Sequence, residues 1–262
     1  MSLTFKLLSS PLWVTQAALI RRRTQLLPEA EGERSGEVGE GPLLRLLIIG
    51  DSSAAGVGVA TQHQAFSGHL TRTLAKKTSQ LVRWNLVARS GVSSAHALTL
   101  VQRAVPSAAD LAVVVLGVND VIEQLPSHQA VAYRAELAEW LIAHCSVRHV
   151  VFSPLPPMGE FPLLRPPLRW VVRADALRHD RAVARWTATR CDVWHVPIPV
   201  SLSADVMAAD GFHAAEPVYK ICGSAVAEFI AVRRLQFLKP HPFQSPSMST
   251  LDRAAAPRIL PR

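Results

Sequence analysis

Cysteine is scarce in this chain of 262 residues: Cys145, Cys191 and Cys222 are the only three, and no two of them form a C-x-x-C pair. His144, Cys145 and His149 cluster in sequence but match no common zinc spacing, which favours structural roles and no bound metal. Single thiols without a pairing framework read as buried groups in a reducing compartment, and the expected location is cytoplasmic. Lysine is absent between Lys6 and Lys76, which removes a Walker phosphate loop from the first half of the chain. Gly56 and Gly58 lack a third partner, since Thr61 stands where a dinucleotide fingerprint needs glycine. Long apolar runs are missing too. Residues 3 to 20 are broken by Lys6 and Pro11 and fall short of the roughly 20 apolar residues that span a bilayer. They also lack a signal-peptide cleavage site, and the arginines at 21 to 23 lie on the wrong side for one.

Two readings stay open for residues 3–23. One is an interfacial anchor making peripheral membrane contact, with Trp13 and the arginines at headgroup level; the other is a helix packed on the domain. The net charge of +8 comes mostly from arginines scattered along the chain. No nucleic-acid recognition motif accompanies it, so no nucleic-acid partner is expected.

What is present is an ordinary globular composition, 49% hydrophobic and 18% charged, enough for one substantial core. The expected division is an extension over 1–43, a main globular domain over 44–235 and a C-terminal tail over 236–262. Within the extension, "PEAEGERSGEVGEGP" at 28–42 reads as a linker or exposed loop. The tail carries Pro240, Pro242, Pro246, Pro257 and Pro261 without an apolar period and is expected to be disordered. Between them, five short continuous apolar runs, at 44–50, 81–87, 110–117, 148–154 and 191–196, suit strands buried on both faces. Helical stretches alternate with them around 64–77, 94–105, 128–145, 170–189 and 217–235. The pattern predicts an α/β fold, a parallel sheet between two helix layers.

Ligands of such sheets bind beyond the carboxyl ends of the strands, so the residues there are the functional candidates. They are Asp51 and Ser52, Ser90 and Gly91, Gly117, Asn119 and Asp120, and then Asp210 and His213 in "ADGFH". Acyl transfer needs a nucleophile, a base to take its proton and a third group to fix the tautomer of the base. Ser52, His213 and Asp210 are of those three types. A backbone N–H at Gly91 and the side-chain amide of Asn119 would serve the developing oxyanion. Taken singly, each has a plainer role. Ser52 or Asp51 caps a helix, Asn119-Asp120 makes an Asx turn, Gly91 is a turn glycine and "DGFH" is a turn with a surface histidine. A module holding a phosphate or flavin on "DSSAAG" is the alternative of a different class.

"GDSSAAG" at 50–56, Gly91 in "RSGVSS", "LGVND" at 116–120 and "DGFH" at 210–213 resemble, in order, the four blocks of the SGNH or GDSL hydrolases. The resemblance spans residue 44 to about 231. It implies a flavodoxin-like three-layer α/β/α sandwich with a five-stranded parallel sheet in the order 2-1-3-4-5. It further implies Ser52 as nucleophile, His213 as base, Asp210 as orienting acid, and an oxyanion hole of Ser52 N–H, Gly91 N–H and Asn119. Neither cofactor nor metal is implied. Ser53 replaces the leucine of the GDSL name, and Ala214 follows the histidine where the family often has proline. Pro217 suits the first turn of the last helix. An α/β-hydrolase shares the chain order Ser, Asp, His, but its serine follows a middle strand and its acid and base do not share one loop.

The expected activity is hydrolysis of a small-molecule acyl ester of short to medium chain through an acyl-serine. Thioesterase, lysophospholipase and carbohydrate acetylesterase activities are the alternatives within the family. Residues 153–170 hold six prolines and several apolar side chains. Met158, Phe161 and Leu164 there are candidate walls of an acyl pocket, the alternative being a rigid surface connection.

Overall fold

A computed structural model describes residues 3–23, 27–198 and 201–237. Six strands, β1 (Ser35–Val38), β2 (Leu43–Gly50), β3 (Leu81–Ala88), β4 (Leu111–Val115), β5 (His149–Phe152) and β6 (Val193–His195), form one sheet in the order β1-β3-β2-β4-β5-β6. From β3 to β6 all pairings are parallel, and their order is the expected 2-1-3-4-5. The addition is β1, which pairs antiparallel with β3 at the edge. Residues 35–38, inside the stretch expected to be a linker or exposed loop, are therefore a strand of this sheet. The remaining helices of the domain are α3 (Ser52–Ala55), α4 (Phe66–Thr78), α5 (Ser94–Ala104), α6 (Val118–Ile122), α7 (Ser127–Cys145), α8 (Leu168–Thr187) and α9 (Glu216–Phe237).

The apolar runs are continuous because side chains alternate between two buried faces. Leu44, Leu46 and Ile48 of β2 enter one core with Leu70, Leu74, Val226 and Ile230 of α4 and α9. Leu47 and Ile49, one residue out of phase, enter the opposite core with Val101, Leu137 and Leu141 of α5 and α7. Each such side chain, fully withdrawn from water, contributes about 1.5–3 kcal/mol.

A third apolar cluster lies at the carboxyl edge of the sheet, around α8 and the loop before it. Helices α1 (Leu3–Leu8) and α2 (Ser10–Arg23) dock there. Trp13, Ala17 and Ile20 pack against the cluster. Lys6 pairs with Asp175 at 2.6 Å, and Gln16 exchanges hydrogen bonds with Pro166 O and Leu168 N. Trp13 is thus turned toward the protein, with its indole N–H on Lys6 O at 3.0 Å, while Leu7, Leu8 and Leu12 stay exposed. Among the described residues no helix is long and apolar enough to cross a membrane.

Of the cysteines, Cys145 is buried as expected, Cys222 is half-buried and Cys191 is exposed, a correction to the expectation that all three are buried. Cys191 falls in the turn before β6, outside the apolar run that its neighbours continue. The expected tail lies outside the described residues apart from the end of α9.

Candidate active site

Three carboxyl ends of strands and one loop supply the site. The chain leaves β2 at Gly50 and turns into α3, where the Asp51 carboxylate accepts the N–H of Ser53 at 2.9 Å and caps the helix. Ser52 begins α3 and is 9% exposed. The turn after α3 is held by Tyr219, whose hydroxyl donates to Val57 O at 2.6 Å. Gly58 then passes so close to the histidine loop that a Cβ there would sit 2.3 Å from Ala214 O, which only glycine permits.

Asp210 organises its own loop. Its Oδ1 accepts the N–H groups of Phe212 and His213, both at 2.9 Å, and its Oδ2 lies 2.6 Å from His213 Nδ1. Burial works against ionising this carboxyl, but the His213 ring and the two backbone N–H groups outweigh it and hold Asp210 below its ordinary pKa. An ionised Asp210 has only acceptors, so Nδ1 carries the ring proton and Nε2 keeps its lone pair. Nε2 faces Ser52 Oγ at 3.2 Å, across 161 residues of sequence. The hydroxyl can donate to it directly. The loop is tied back by Ala208 N to His213 O at 2.8 Å, and Pro217 occupies the first turn of α9.

Asn119, at the start of α6, donates Nδ2–H to Val92 O at 3.0 Å and lies 3.5 Å from Asp51 Oδ2. Gly91 has φ of +80°, and a Cβ there would meet nothing within 4 Å, so the glycine serves backbone conformation and not a close approach. Burial pushes the Asp51 carboxyl up to about 7; the nearby Asp120 charge adds to this, while Ser53 N–H and Arg134 oppose it.

Residues 48–221 match the profile of the GDSL-like lipase/acylhydrolase family. The chain belongs to that family. A GDSL-like esterase of Mycobacterium tuberculosis is 26% identical over 201 residues, 72% of this chain. The match spans 62% of that esterase's length. Among solved structures, a carbohydrate acetylesterase from Sinorhizobium meliloti superposes with a TM-score of 0.56 at 14% identity, covering 72% of this chain and 99% of its own. A lipase from a goat rumen metagenome gives a TM-score of 0.58 at 14% identity, with 72% and 97% covered. At those identities the two superpositions speak for the fold.

Within this GDSL chain, Ser52, Asp210 and His213 are brought together, and Asn119 stands beside the same strand ends. The loop residues Met158, Phe161 and Leu164 are placed differently from an open wall: all three are buried in the third cluster, 1%, 3% and 4% exposed. Phe161 meets the Phe212 ring edge-on at 5.2 Å, and Phe212 in turn meets His213 at 5.1 Å. The loop thus backs His213 through two rings.

Two supports escaped the reading of the sequence. One is Arg134, whose guanidinium reaches Asp120, Ser94 Oγ and Leu116 O at 2.9, 2.9 and 3.1 Å in full burial. Its signal was available: Ala130, Leu137, Leu141 and Cys145 form the buried stripe of α7, and position 134 lies on it. The other is Glu29, which holds Ser90, and no local pattern announces it.

Proposed function

We propose that this GDSL-family chain is a serine ester hydrolase acting on short- to medium-chain acyl esters through a covalent acyl-serine. The observation that carries the reading is the hydrogen-bonded series Ser52 Oγ, His213 Nε2, His213 Nδ1 and Asp210 Oδ2, at 3.2 and 2.6 Å.

Ser52 Oγ attacks the ester carbonyl while His213 Nε2 takes its proton. Asp210 keeps the ring in the tautomer that can accept, and stabilises the imidazolium that results. The carbonyl oxygen becomes an alkoxide, for which the Gly91 and Ser52 N–H groups and the Asn119 amide are the donors. Collapse breaks the bond to the alcohol oxygen, and His213 returns the proton to it. Water, deprotonated by the same Nε2, then attacks the acyl-serine; the carboxylic acid leaves and Ser52 recovers its proton. Every proton passes through one nitrogen, so no metal or cofactor enters the scheme.

The test is incubation of the purified protein with a fluorophosphonate probe and with p-nitrophenyl acetate, butyrate and octanoate. Labelling and turnover that both vanish in Ser52→Ala support the reading. Undiminished labelling in that variant, or yellow flavin co-purifying with an inert protein, overturns it. Thioesters and acetylated sugars run beside these esters fix the substrate class.

A further inference from the structure

Residues 29 and 30 touch both halves of the site at once. The Glu29 carboxylate accepts the Ser90 N–H at 2.6 Å and the Ser90 hydroxyl at 2.8 Å through one oxygen. Its other oxygen pairs with Arg34, whose Nη1 donates to Ala88 O at 2.7 Å. Arg34 O also accepts the N–H of Leu86 at 2.7 Å, at the start of the β1–β3 pairing. The loop that leaves β3 is therefore gripped on both sides of Arg89, immediately before Gly91.

The next residue grips the nucleophile. Ala30 N donates to Ala55 O at 3.2 Å, and the buried Gln62 amide donates to both Ala30 O and Ala55 O, at 3.1 and 2.9 Å. Ala55 is the last residue of the short helix that Ser52 begins. Gly56 closes that helix so tightly against the segment that a Cβ there would lie 2.7 Å from the Ala30 Cβ.

We propose that Glu29 is a positioning residue: with Ala30 fixed to the Ser52 helix and its own carboxylate fixed to Ser90, it sets the separation of the Gly91 N–H from the nucleophile. Ser90 and Gly91 are exposed, and the loop has no apolar anchor of its own at those two positions. A carboxylate accepting two hydrogen bonds and paired with a guanidinium supplies that anchor at a surface where single contacts are weak. Glu29 sits below the ordinary pKa of its type: burial opposes ionisation, but the Ser90 N–H, the Ser90 hydroxyl and Arg34 outweigh it. The grip is thus made by the charged form. A donor that drifts acts on the alkoxide more than on the bound ester, so the loss falls on turnover.

This inference rests on the ester-hydrolase reading for its kinetic arm and is independent of it for its structural arm. The structural arm is hydrogen exchange by mass spectrometry over residues 86–93 in the full chain. Glu29→Ala is expected to speed exchange there while leaving α4 and α9 unchanged; an unchanged 86–93 segment overturns the proposal whether or not the protein hydrolyses esters. The kinetic arm compares Glu29→Ala, Glu29→Gln and the control Glu37→Ala, which removes the exposed Arg83–Glu37 pair of the nearby strand β1. Glu29→Ala is expected to lower kcat roughly 10- to 100-fold with KM nearly constant. Its affinity for a trifluoromethyl ketone, which forms the tetrahedral adduct, should fall in the same proportion. Glu29→Gln, which keeps one acceptor for Ser90, should recover part of both, and Glu37→Ala should resemble the wild type. If Glu37→Ala matches Glu29→Ala, the added strand stabilises the fold without positioning the donor, and the proposal fails. If Ser52→Ala retains activity, the ester-hydrolase reading fails on its own.

Discussion

Arg134 and Asp120 form an ion pair at 2.9 Å with side chains only 1% and 0% exposed. Asp120 belongs to α6, the helix that carries Asn119, and both partners also bind Ser94, at the start of the helix that follows Gly91. One buried network therefore joins two of the segments that carry the proposed oxyanion donors.

Removing one side of such a pair leaves an uncompensated buried charge. Arg134→Met should cost about 3–5 kcal/mol of stability, because Asp120 loses its partner with no water to replace it. Chemical denaturation of the variant measures the loss. A midpoint within error of the wild type would mean that Asp120 finds another partner.

Asp210→Asn keeps an oxygen able to accept the N–H groups of Phe212 and His213, so the loop should hold. The amide cannot enforce a proton on His213 Nδ1 as the carboxylate does. The expected result is a fall in kcat of about 10⁴-fold with a thermal midpoint close to that of the wild type. Initial rates with p-nitrophenyl butyrate and a melting curve decide it.

Asn119→Ala removes a proposed donor to the alkoxide. A drop of about 10² to 10³ in kcat with little change in KM is expected. A change confined to KM, read from full saturation curves, would assign Asn119 to ground-state binding instead.

The raised Asp51 carboxyl gives a pH signature. Its folded value of about 7 exceeds its ordinary 3.8, so between those limits the folded state holds more protons than the unfolded state. Stability from this group is therefore present at low pH and is lost as pH rises from about 4 to about 7. Asp51→Asn cannot ionise and should gain on the wild type across that window. The difference in melting temperature between the two proteins, measured at half-unit pH steps, should rise with pH; a flat difference would show that Asp51 titrates normally.

Much of the architecture follows from local pattern. The five parallel strands fall where continuous apolar runs lie, because both faces of each strand are buried and no polar alternation interrupts them. Strand ends then name Ser52, Gly91, Asn119, Asp210 and His213, since in such a sheet the loops at that edge converge. The loop of Met158, Phe161 and Leu164 has no such local signature. Apolar residues near a site line a cavity or fill a core, and composition is the same for both; packing against α2 and α8 put these three in the core.

By itself, the sequence determined the alternation of the five parallel strands with the long helices, the candidate site residues and their assignment to acyl-transfer chemistry. These depend on period and on residue type, both of which are local. Only the tertiary structure decided that residues 35–38 join the sheet, that Arg134 meets Asp120, and that Glu29 holds Ser90. β1 is four residues of half-exposed edge with no apolar run, and it becomes a strand because β3 presents unpaired backbone groups to it. A charged pair leaves no period in the chain. Its partners are chosen by which surfaces the finished sheet brings within hydrogen-bonding distance.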